Sequence, residues 1–364
     1  MILKENNNYL FNNYEIFFCG FSGSGKTTLI SKLTKYFSKI YSVGYIKHDA
    51  HKFSIDYENK DTHIIYNSGA NKVFINDNTH FAFIEKSNYN QSLIKSIFND
   101  CDFVFVEGYK YLDNPKVLII DENKKILEEY NSGKINNVLC FVGEDSYLDL
   151  DKPYFNRNDI TSISNFILNY FNSLNKKVNL YGLVLAGGKS TRMGRDKAEL
   201  EYYGKKQVEY TCDLLYNYCN KVFISTRDKV YSSRYESIFD TFLNIGPIGG
   251  ILSAQTLINN TAFFVIACDM PYINSETIEK LIMNRDYFKF STCYINQENN
   301  LPEPLCAIYE PKSKYALMSF IAEGFSCPRK FLIKYNSKKI LPNNPIEMSN
   351  INYIEEYNEI KGRI

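Results

Sequence analysis

Two glycine-rich loops, each entered from a run of strand-forming residues, fix most of what this chain can become. The first is Gly20-Phe21-Ser22-Gly23-Ser24-Gly25-Lys26-Thr27; the second is LAGGKSTRMGRDK, from Leu185 to Lys197. A glycine-rich turn between a strand and a helix points successive backbone N–H groups at one place, which suits a phosphate group. Only the first loop ends in Gly-Lys-Thr, so the two belong to different kinds of nucleotide site. A chain of 364 residues also exceeds the roughly 250–300 at which a single hydrophobic core stops growing. Two domains, with one loop each, are therefore expected.

The order of elements supports that division. Apolar runs bounded by turn residues recur at Tyr14 to Cys19, Ser42 to Ile46, Lys72 to Ile75, Phe103 to Val106, Lys116 to Ile120 and Val138 to Val142. Helical patterns at Thr27 to Phe37 and Tyr89 to Phe98 alternate with them, which argues an α/β domain with a largely parallel sheet. A last helix over Ile160 to Leu174 leads to Asn175-Lys176-Lys177, and a new strand from Leu180 to Leu185 opens a second α/β series. That series continues with strands at Lys221 to Ser225, Thr261 to Ala267, Phe290 to Tyr294 and Leu305 to Tyr309, and helices at Gln207 to Tyr218, Ile248 to Thr256 and Ser275 to Met283. The boundary is placed near 175, giving domains 1–175 and 176–364. The halves share no repeat, so fusion explains them better than duplication.

Composition narrows the partners. A net charge of +1 provides no global field for a polyanion, which argues against nucleic acid. Nine cysteines with no Cys-x-x-Cys pair read as reduced core thiols and not as disulfides or zinc ligands, so a reducing cytoplasmic setting is expected. No apolar run approaches the ~18 residues that would cross a bilayer, and no basic-then-apolar leader opens the chain, so no membrane partner is expected.

In the first loop, Gly23, Ser24 and Gly25 would offer backbone N–H groups to phosphates, together with the N-terminal residue Thr28 of the following helix. Lys26 would reach the β and γ phosphates, and the Thr27 hydroxyl would meet Mg²⁺. Chance matches of this spacing are on the order of one in a hundred for such a chain, so a plain glycine turn is the weaker reading. Glu107 ends the buried run Phe103 to Val106 at the edge where open α/β sheets bind ligands, making it a candidate for the Mg²⁺ shell or for orienting water. Taken alone, it would as readily be a solvated strand end. His48 and His51 beside Asp49 read as a polar loop in preference to zinc. No N-K-x-D-like sequence identifies the base.

GFSGSGKTTL, GYIKHDAH, Asp56, Asp61, Ser68-Gly69-Ala70 and FVFVEGYK together resemble the MobB family of GTP-binding accessory proteins of molybdenum cofactor maturation. The similarity covers most of residues 14 to 172. It implies a P-loop fold that binds GTP, hydrolyses it weakly and pairs as a homodimer through this domain. It also implies that Lys47, Asp61 and Glu107 line the site.

The second loop lacks the Gly-Lys-Thr ending but crowds Lys189, Arg192, Arg195 and Lys197 together. Leu185, Ala186, Gly187 and Gly188 would bring backbone close to a triphosphate, and Arg192 and Lys197 would supply charge where pyrophosphate departs. Asp269 follows the apolar run Thr261 to Ala267, so it faces the same crevice; a carboxylate there can hold Mg²⁺ against nucleotide phosphates. A helix cap is the plainer role for an isolated strand-end Asp, but the Asp-x-Pro context and the partner loop favour catalysis. Gly246-Pro247-Ile248-Gly249-Gly250 is either a second close-approach segment or a tight turn.

LAGGKSTRMGRDKAEL, VFISTRD, Asp240, GPIGGILSA, ACDMPYI, PLCAIY and Asn350-Ile351-Asn352 resemble the MobA family, the molybdenum cofactor guanylyltransferases, over residues 180 to 355. The resemblance implies a Rossmann-like nucleotidyltransferase in which the loop holds GTP, Lys197 touches phosphate, Asp240 helps to read the nucleotide and Asp269 binds Mg²⁺. Ser225, also assigned to nucleotide binding, stands where some members carry Asn. Asn352-Tyr353-Ile354 replaces an expected Asn-Thr-Pro.

Together these resemblances imply a fused MobB and MobA chain that transfers GMP from Mg-GTP to molybdenum-molybdopterin, with Arg192, Lys197 and Asp269 as the catalytic residues. Molybdoenzyme apoproteins or their chaperones would be further partners. Two alternatives stand beside this: a transferase using CTP or acting on a sugar phosphate, and a non-catalytic GTP-dependent adapter that delivers cofactor.

Overall fold

The computed structural model describes residues 14–48, 60–86, 91–144, 150–187, 196–297 and 299–361. They form two compact units, Met1–Ser164 and Asn165–Ile364, each built on its own sheet.

The N-terminal unit runs through β1 (Glu15–Cys19), α1 (Lys26–Phe37), β2 (Val43–Lys47), α2 (Asp61–Asn67), β3 (Lys72–Asn76), β4 (Phe81–Glu85), α3 (Gln91–Ile97), β5 (Phe103–Glu107), β6 (Lys116–Ile119), α4 (Lys125–Asn131), β7 (Val138–Gly143) and β8 (Tyr154–Asn156). The helix α5 (Ile160–Asn175) spans the division between the units. Six strands make an all-parallel sheet in the order β2-β5-β1-β6-β7-β8. β1 and β5 are buried at every position, as expected of strands covered on both faces, where period-2 alternation disappears. α1 buries Leu29, Ile30, Leu33 and Phe37, one helical stripe. Phe37 sets its ring edgewise on Phe103 and Phe105, at 5.0 and 5.3 Å between centroids. Burial of one such side chain contributes about 1.5–3 kcal/mol, so α1 and the loop before it are firmly held on the sheet.

One expected strand sits elsewhere. Lys72 to Ile75 does not join the parallel sheet; as β3 it pairs antiparallel with β4 in a separate hairpin. Its pattern explains the difference, because only Val73 of β3 is buried and it cannot serve as a two-sided core strand.

The C-terminal unit continues with β9 (Leu180–Leu185), α6 (Gln207–Tyr216), β10 (Lys221–Thr226), β11 (Glu236–Phe239), α7 (Pro247–Leu257), β12 (Ala262–Ala267), α8 (Ser275–Met283), β13 (Ser291–Ile295), β14 (Pro302–Tyr309), α9 (Ser313–Ala322), α10 (Pro328–Lys334), β15 (Lys338–Ile340) and α11 (Ile354–Lys361). Its sheet runs β11-β10-β9-β12-β14-β13-β15. β9 to β12 are parallel, whereas β14 runs against both β12 and β13. The sheet is therefore mixed. β12 supplies both cores, with Phe264 and Ile266 in one and Phe263 and Val265 in the other. β9, β10 and β12 thus end together on one edge, and the C-terminal site is built there.

Candidate active site

In the N-terminal unit the chain leaves β1 through Gly20 and enters α1 at Lys26. Gly23 and Gly25 adopt φ of 77° and 85°, the left-handed region that favours glycine, so the loop curls over the N-terminus of α1. The Lys26 ammonium donates to the Phe21 carbonyl at 2.8 Å. Burial lowers its pKa, while the Glu107 charge opposes that shift. Thr27 donates through Oγ1 to Glu107 Oε2 at 3.1 Å, and Tyr45 donates through its hydroxyl to the same oxygen at 2.7 Å. Lys47 Nζ lies 3.9 Å from Glu107 Oε1. Glu107 itself is buried, so this carboxylate is aimed at the loop by three neighbours. Thr28 lies exposed in the first turn of α1, and Ser24 is buried with no hydrogen-bond partner for its hydroxyl.

Asp61 opens α2 and takes no part in these contacts. His48 stacks on Tyr109 with 4.1 Å between ring centroids, which fits the polar-loop reading; His51, Asp49 and Asp56 lie outside the described residues. Among the described residues, no cluster of three or more His, Cys, Asp or Glu forms a metal site. A hydroxyl joined to a buried carboxylate at a P-loop is nevertheless the donor set that Mg²⁺ shares with nucleotide phosphates.

In the C-terminal unit, Leu185, Ala186, Gly187, Lys197, Ser225, Asp240 and Asp269 all line one cavity of about 340 Å³. Gly188 and Arg192 lie outside the described residues. At one end of the cavity, Lys197 donates to Asp269 Oδ2 at 3.0 Å and to Asn352 Oδ1 at 2.8 Å. The other Asp269 oxygen, Oδ1, is buried without a hydrogen-bond partner. A buried carboxylate oxygen without a partner costs free energy, and a hard cation that takes oxygen ligands would satisfy it, so Asp269 fits Mg²⁺. At another wall Ser225 donates to Asp240 Oδ1 at 2.8 Å. Burial raises the Asp240 pKa, against the Ser225 hydrogen bond and the Arg227 charge that lower it. Gly187 and Gly250 leave room for this pair: a Cβ at Gly187 would lie 3.3 Å from Asp240 Oδ2, and one at Gly250 only 2.2 Å from Ser225 Oγ.

The second loop re-enters the described chain at Asp196, which accepts from Tyr231 at 2.8 Å, Lys229 at 3.2 Å and the Ala198 N–H at 3.1 Å. Lys197 is thereby anchored by its predecessor. On the far side of Asp269, β14 reaches past the end of β12, and Glu303 at its start is buried. Burial raises the Glu303 pKa, and the nearby Asp269 charge adds to the effect. Arg329 donates to the Pro302 carbonyl at 3.0 Å and lies 3.5 Å from Glu303.

Residues 182–337 match the MobA-like NTP transferase domain, and residues 16–143 match molybdopterin guanine dinucleotide synthesis protein B. A molybdenum cofactor biosynthesis bifunctional protein of Synechocystis is 38% identical over 185 residues, covering 50% of this chain and 53% of that protein. The match thus spans about half the length of that relative. A probable molybdenum cofactor guanylyltransferase of Methanocaldococcus jannaschii is 31% identical over 194 residues, covering 48% of this chain and 95% of its own length.

The chain belongs to the molybdenum cofactor guanylyltransferase family. Its N-terminal half carries a MobB domain and its C-terminal half an NTP transferase domain. The crystal structure of molybdopterin-guanine dinucleotide biosynthesis protein A from Archaeoglobus fulgidus aligns with a TM-score of 0.43 at 25% identity, covering 50% of this chain and 97% of that one.

Several residues of this cavity carry weak sequence signals. Arg227 and Pro247 line the cavity, yet each reads as an ordinary turn or strand-end residue. Asn352 enters the sequence reading through the Asn350-Ile351-Asn352 piece of the resemblance and the imperfect Asn-Thr-Pro match, neither of which gives it a partner. Its position follows from α11: Glu356 accepts from the Asn352 and Tyr353 N–H groups at 2.8 and 3.1 Å, and the Ile351 N–H donates to the Asp269 carbonyl at 2.8 Å. The signal available in the sequence was an acid four residues after Asn352 at a helix start, a capping arrangement.

Proposed function

We propose that the C-terminal domain transfers GMP from GTP to the terminal phosphate of molybdenum-molybdopterin, yielding molybdopterin guanine dinucleotide and pyrophosphate. The observation that carries this is the Lys197–Asp269–Asn352 group at one end of a cavity whose other wall holds the Ser225–Asp240 pair. A phosphate oxygen of the acceptor attacks the α-phosphorus, a new phosphorus–oxygen bond forms, and the bond to pyrophosphate breaks with its electron pair leaving on pyrophosphate. Bound Mg²⁺ would polarise the α-phosphate and offset negative charge. Asp269 would hold that ion through its unpartnered oxygen. Lys197, tethered on two sides, keeps an ammonium fixed where charge gathers on the phosphates, and Arg192 adds a second cation from the loop. Gly187 and Gly188 let backbone N–H groups approach the triphosphate, while Asp240, held by Ser225, contacts the nucleoside. The region of Pro302 to Pro304 and Cys327 to Lys330 lies beyond Asp269 and is the side we assign to the pterin.

The N-terminal domain, with Gly23, Ser24, Gly25, Lys26, Thr27 and Thr28 on phosphate and Thr27 and Glu107 on Mg²⁺, binds GTP, hydrolyses it slowly and assists transfer or delivery to molybdoenzyme apoproteins or their chaperones. Residues 1–175 and 176–364 are taken as the two domains. Pairing of two chains through the first is supported by the β3–β4 hairpin and α2, which leave Phe74, Ile75, Phe81, Ile64 and Ile65 at least half exposed. A cytoplasmic setting is supported by nine free cysteines; no helix of the described residues is long and apolar enough to cross a membrane.

Anaerobic incubation with molybdenum-loaded molybdopterin, Mg²⁺ and, in parallel, GTP, CTP or ATP tests the assignment by the nucleotide recovered from the product. GMP alone is expected. CMP would move the protein to a CTP-using transferase, and no product with any nucleotide would favour the adapter.

A further inference from the structure

Arg157 follows β8 directly and reaches back across the N-terminal unit to the P-loop. Its root is fixed from two sides. Its N–H donates to the Gly143 carbonyl at 2.8 Å, and the next residue, Asn158, accepts from Lys32 of α1 at 2.9 Å. From there the guanidinium lies against the loop: a Cβ built on Gly25 would stand 3.0 Å from Arg157 Nη1. Gly25, at φ 85°, stands in backbone that favours glycine, and a Cβ there would press on the guanidinium.

The charge at this position is poorly satisfied. Arg157 Nε is buried and has no hydrogen-bond partner. Nη1 meets Glu144 Oε1 at 3.3 Å, but the Glu144 side chain is 71% exposed, and exposed ion pairs of this sort contribute little. In the same loop the buried Ser24 hydroxyl is also without a partner. Buried donors left open around a phosphate loop are donors for an anion, and a guanidinium offers paired N–H groups that match phosphate oxygens.

We infer that Arg157 is a phosphate ligand of the nucleotide in the N-terminal site and that it exchanges Glu144 for the nucleotide's α- or β-phosphate when nucleotide binds. The inference rests on reading that loop as a nucleotide site. The segment after β8 carries the arginine, Gly25 admits it and Glu144 pairs with it.

The test measures fluorescent GTP, GDP and ATP binding to the full chain, taking as the N-terminal component the binding that Lys26→Ala removes. Arg157→Ala should weaken that component for all three nucleotides by about 10- to 100-fold, the range for hydrogen bonds to a charged partner. Arg157→Lys should fall between, because an ammonium keeps the charge and loses the fork. Glu144→Ala should bind as tightly as the parent chain or more tightly, and all variants should melt with the parent. The inference is overturned if Arg157→Ala binds like the parent. It is equally overturned if Glu144→Ala loses as much as Arg157→Ala, which would make the pair a structural brace, or if only GTP and GDP binding falls, which would place Arg157 on the base. If Lys26→Ala removes no binding component, the nucleotide reading of the loop itself fails, and this inference with it.

Discussion

Lys197 and Asp269 form a 3.0 Å ion pair whose side chains are about one-fifth exposed or less, and the aspartate leaves one buried oxygen open. Such a carboxylate is held in place for a partner and contributes little to the fold. Asp269→Asn or Lys197→Ala should therefore lower guanylyl transfer by roughly two to three orders of magnitude, as removal of one preorganised group does elsewhere, while the thermal midpoint stays near the parent value. Near-normal turnover in either variant would remove that residue from the mechanism. Asp240 gives a pH test. Burial raises its carboxyl pKa above the ordinary range, so above its folded pKa the charged form carries a cost in the native state that the unfolded chain does not share. Below about 3.9 the group is protonated in both states and the cost is gone. Stability supplied by the neutral form is thus lost as pH rises through that window. Asp240→Asn should melt above the parent at pH 7, with the gap closing toward pH 4; a gap that ignores pH would show that the charge is not the cause. At this scale the sequence was readable where chemistry follows a strand end, as at Glu107 and Asp269. It did not show that Asn352 meets Lys197, since that bond crosses 155 positions and depends on where α11 docks.

The elements around the site divide into those that shape it and those that support it, and α7 does both with adjacent glycines. A Cβ at Gly249 would meet the Phe242 carbonyl at 2.2 Å, and one at Gly250 would meet Ser225 Oγ at 2.2 Å. Backbone cannot yield as a side-chain hydroxyl can. Gly249→Ala should cost about 1–3 kcal/mol of stability by overpacking. Gly250→Ala should turn Ser225 away from Asp240 and weaken nucleotide use at C-terminal turnover with a smaller loss of stability. Chemical denaturation and steady-state kinetics on the pair separate the two effects, and equal stability losses would contradict this division. Long, strongly patterned elements such as α1, β5, α5 and β12 were legible because their apolar residues follow the period of the element, as a stripe on a helix or as a continuous run on a strand covered on both faces. The short ones, β8, β11 and β15, were not: each has three or four residues and little burial, and is set by the strand beside it. The reversal of β14 was hidden for a related reason, since an apolar run does not state its direction.

For the whole molecule, the fused arrangement predicts separable activities. Lys26→Ala should abolish GTP hydrolysis and leave guanylyl transfer at a reduced rate, because the site at Asp269 and Lys197 lies wholly within the second unit. Complete loss of transfer in a folded Lys26→Ala chain would contradict that independence. Phe81→Lys, on the exposed hairpin, should shift sedimentation toward the monomer without altering the melt of the N-terminal unit; an unchanged sedimentation coefficient would place the pairing surface elsewhere or remove it. The two glycine-rich loops and their order are evident in the sequence. The hairpin face was not, because nothing in an apolar run says whether a core or a second chain covers it.

The bond between Lys197 and Asn352 also sets a timetable for the nascent chain. The P-loop, Glu107 and Arg157 have all been synthesised by the time residue 157 is added, whereas the transferase site waits for Asn352. At 5–20 residues per second the interval is roughly 10–40 s. On the proposed assignment of the two sites, each new polypeptide would complete its first site well before its second, and a ribosome stalled between the two positions would present a binder with no transferase.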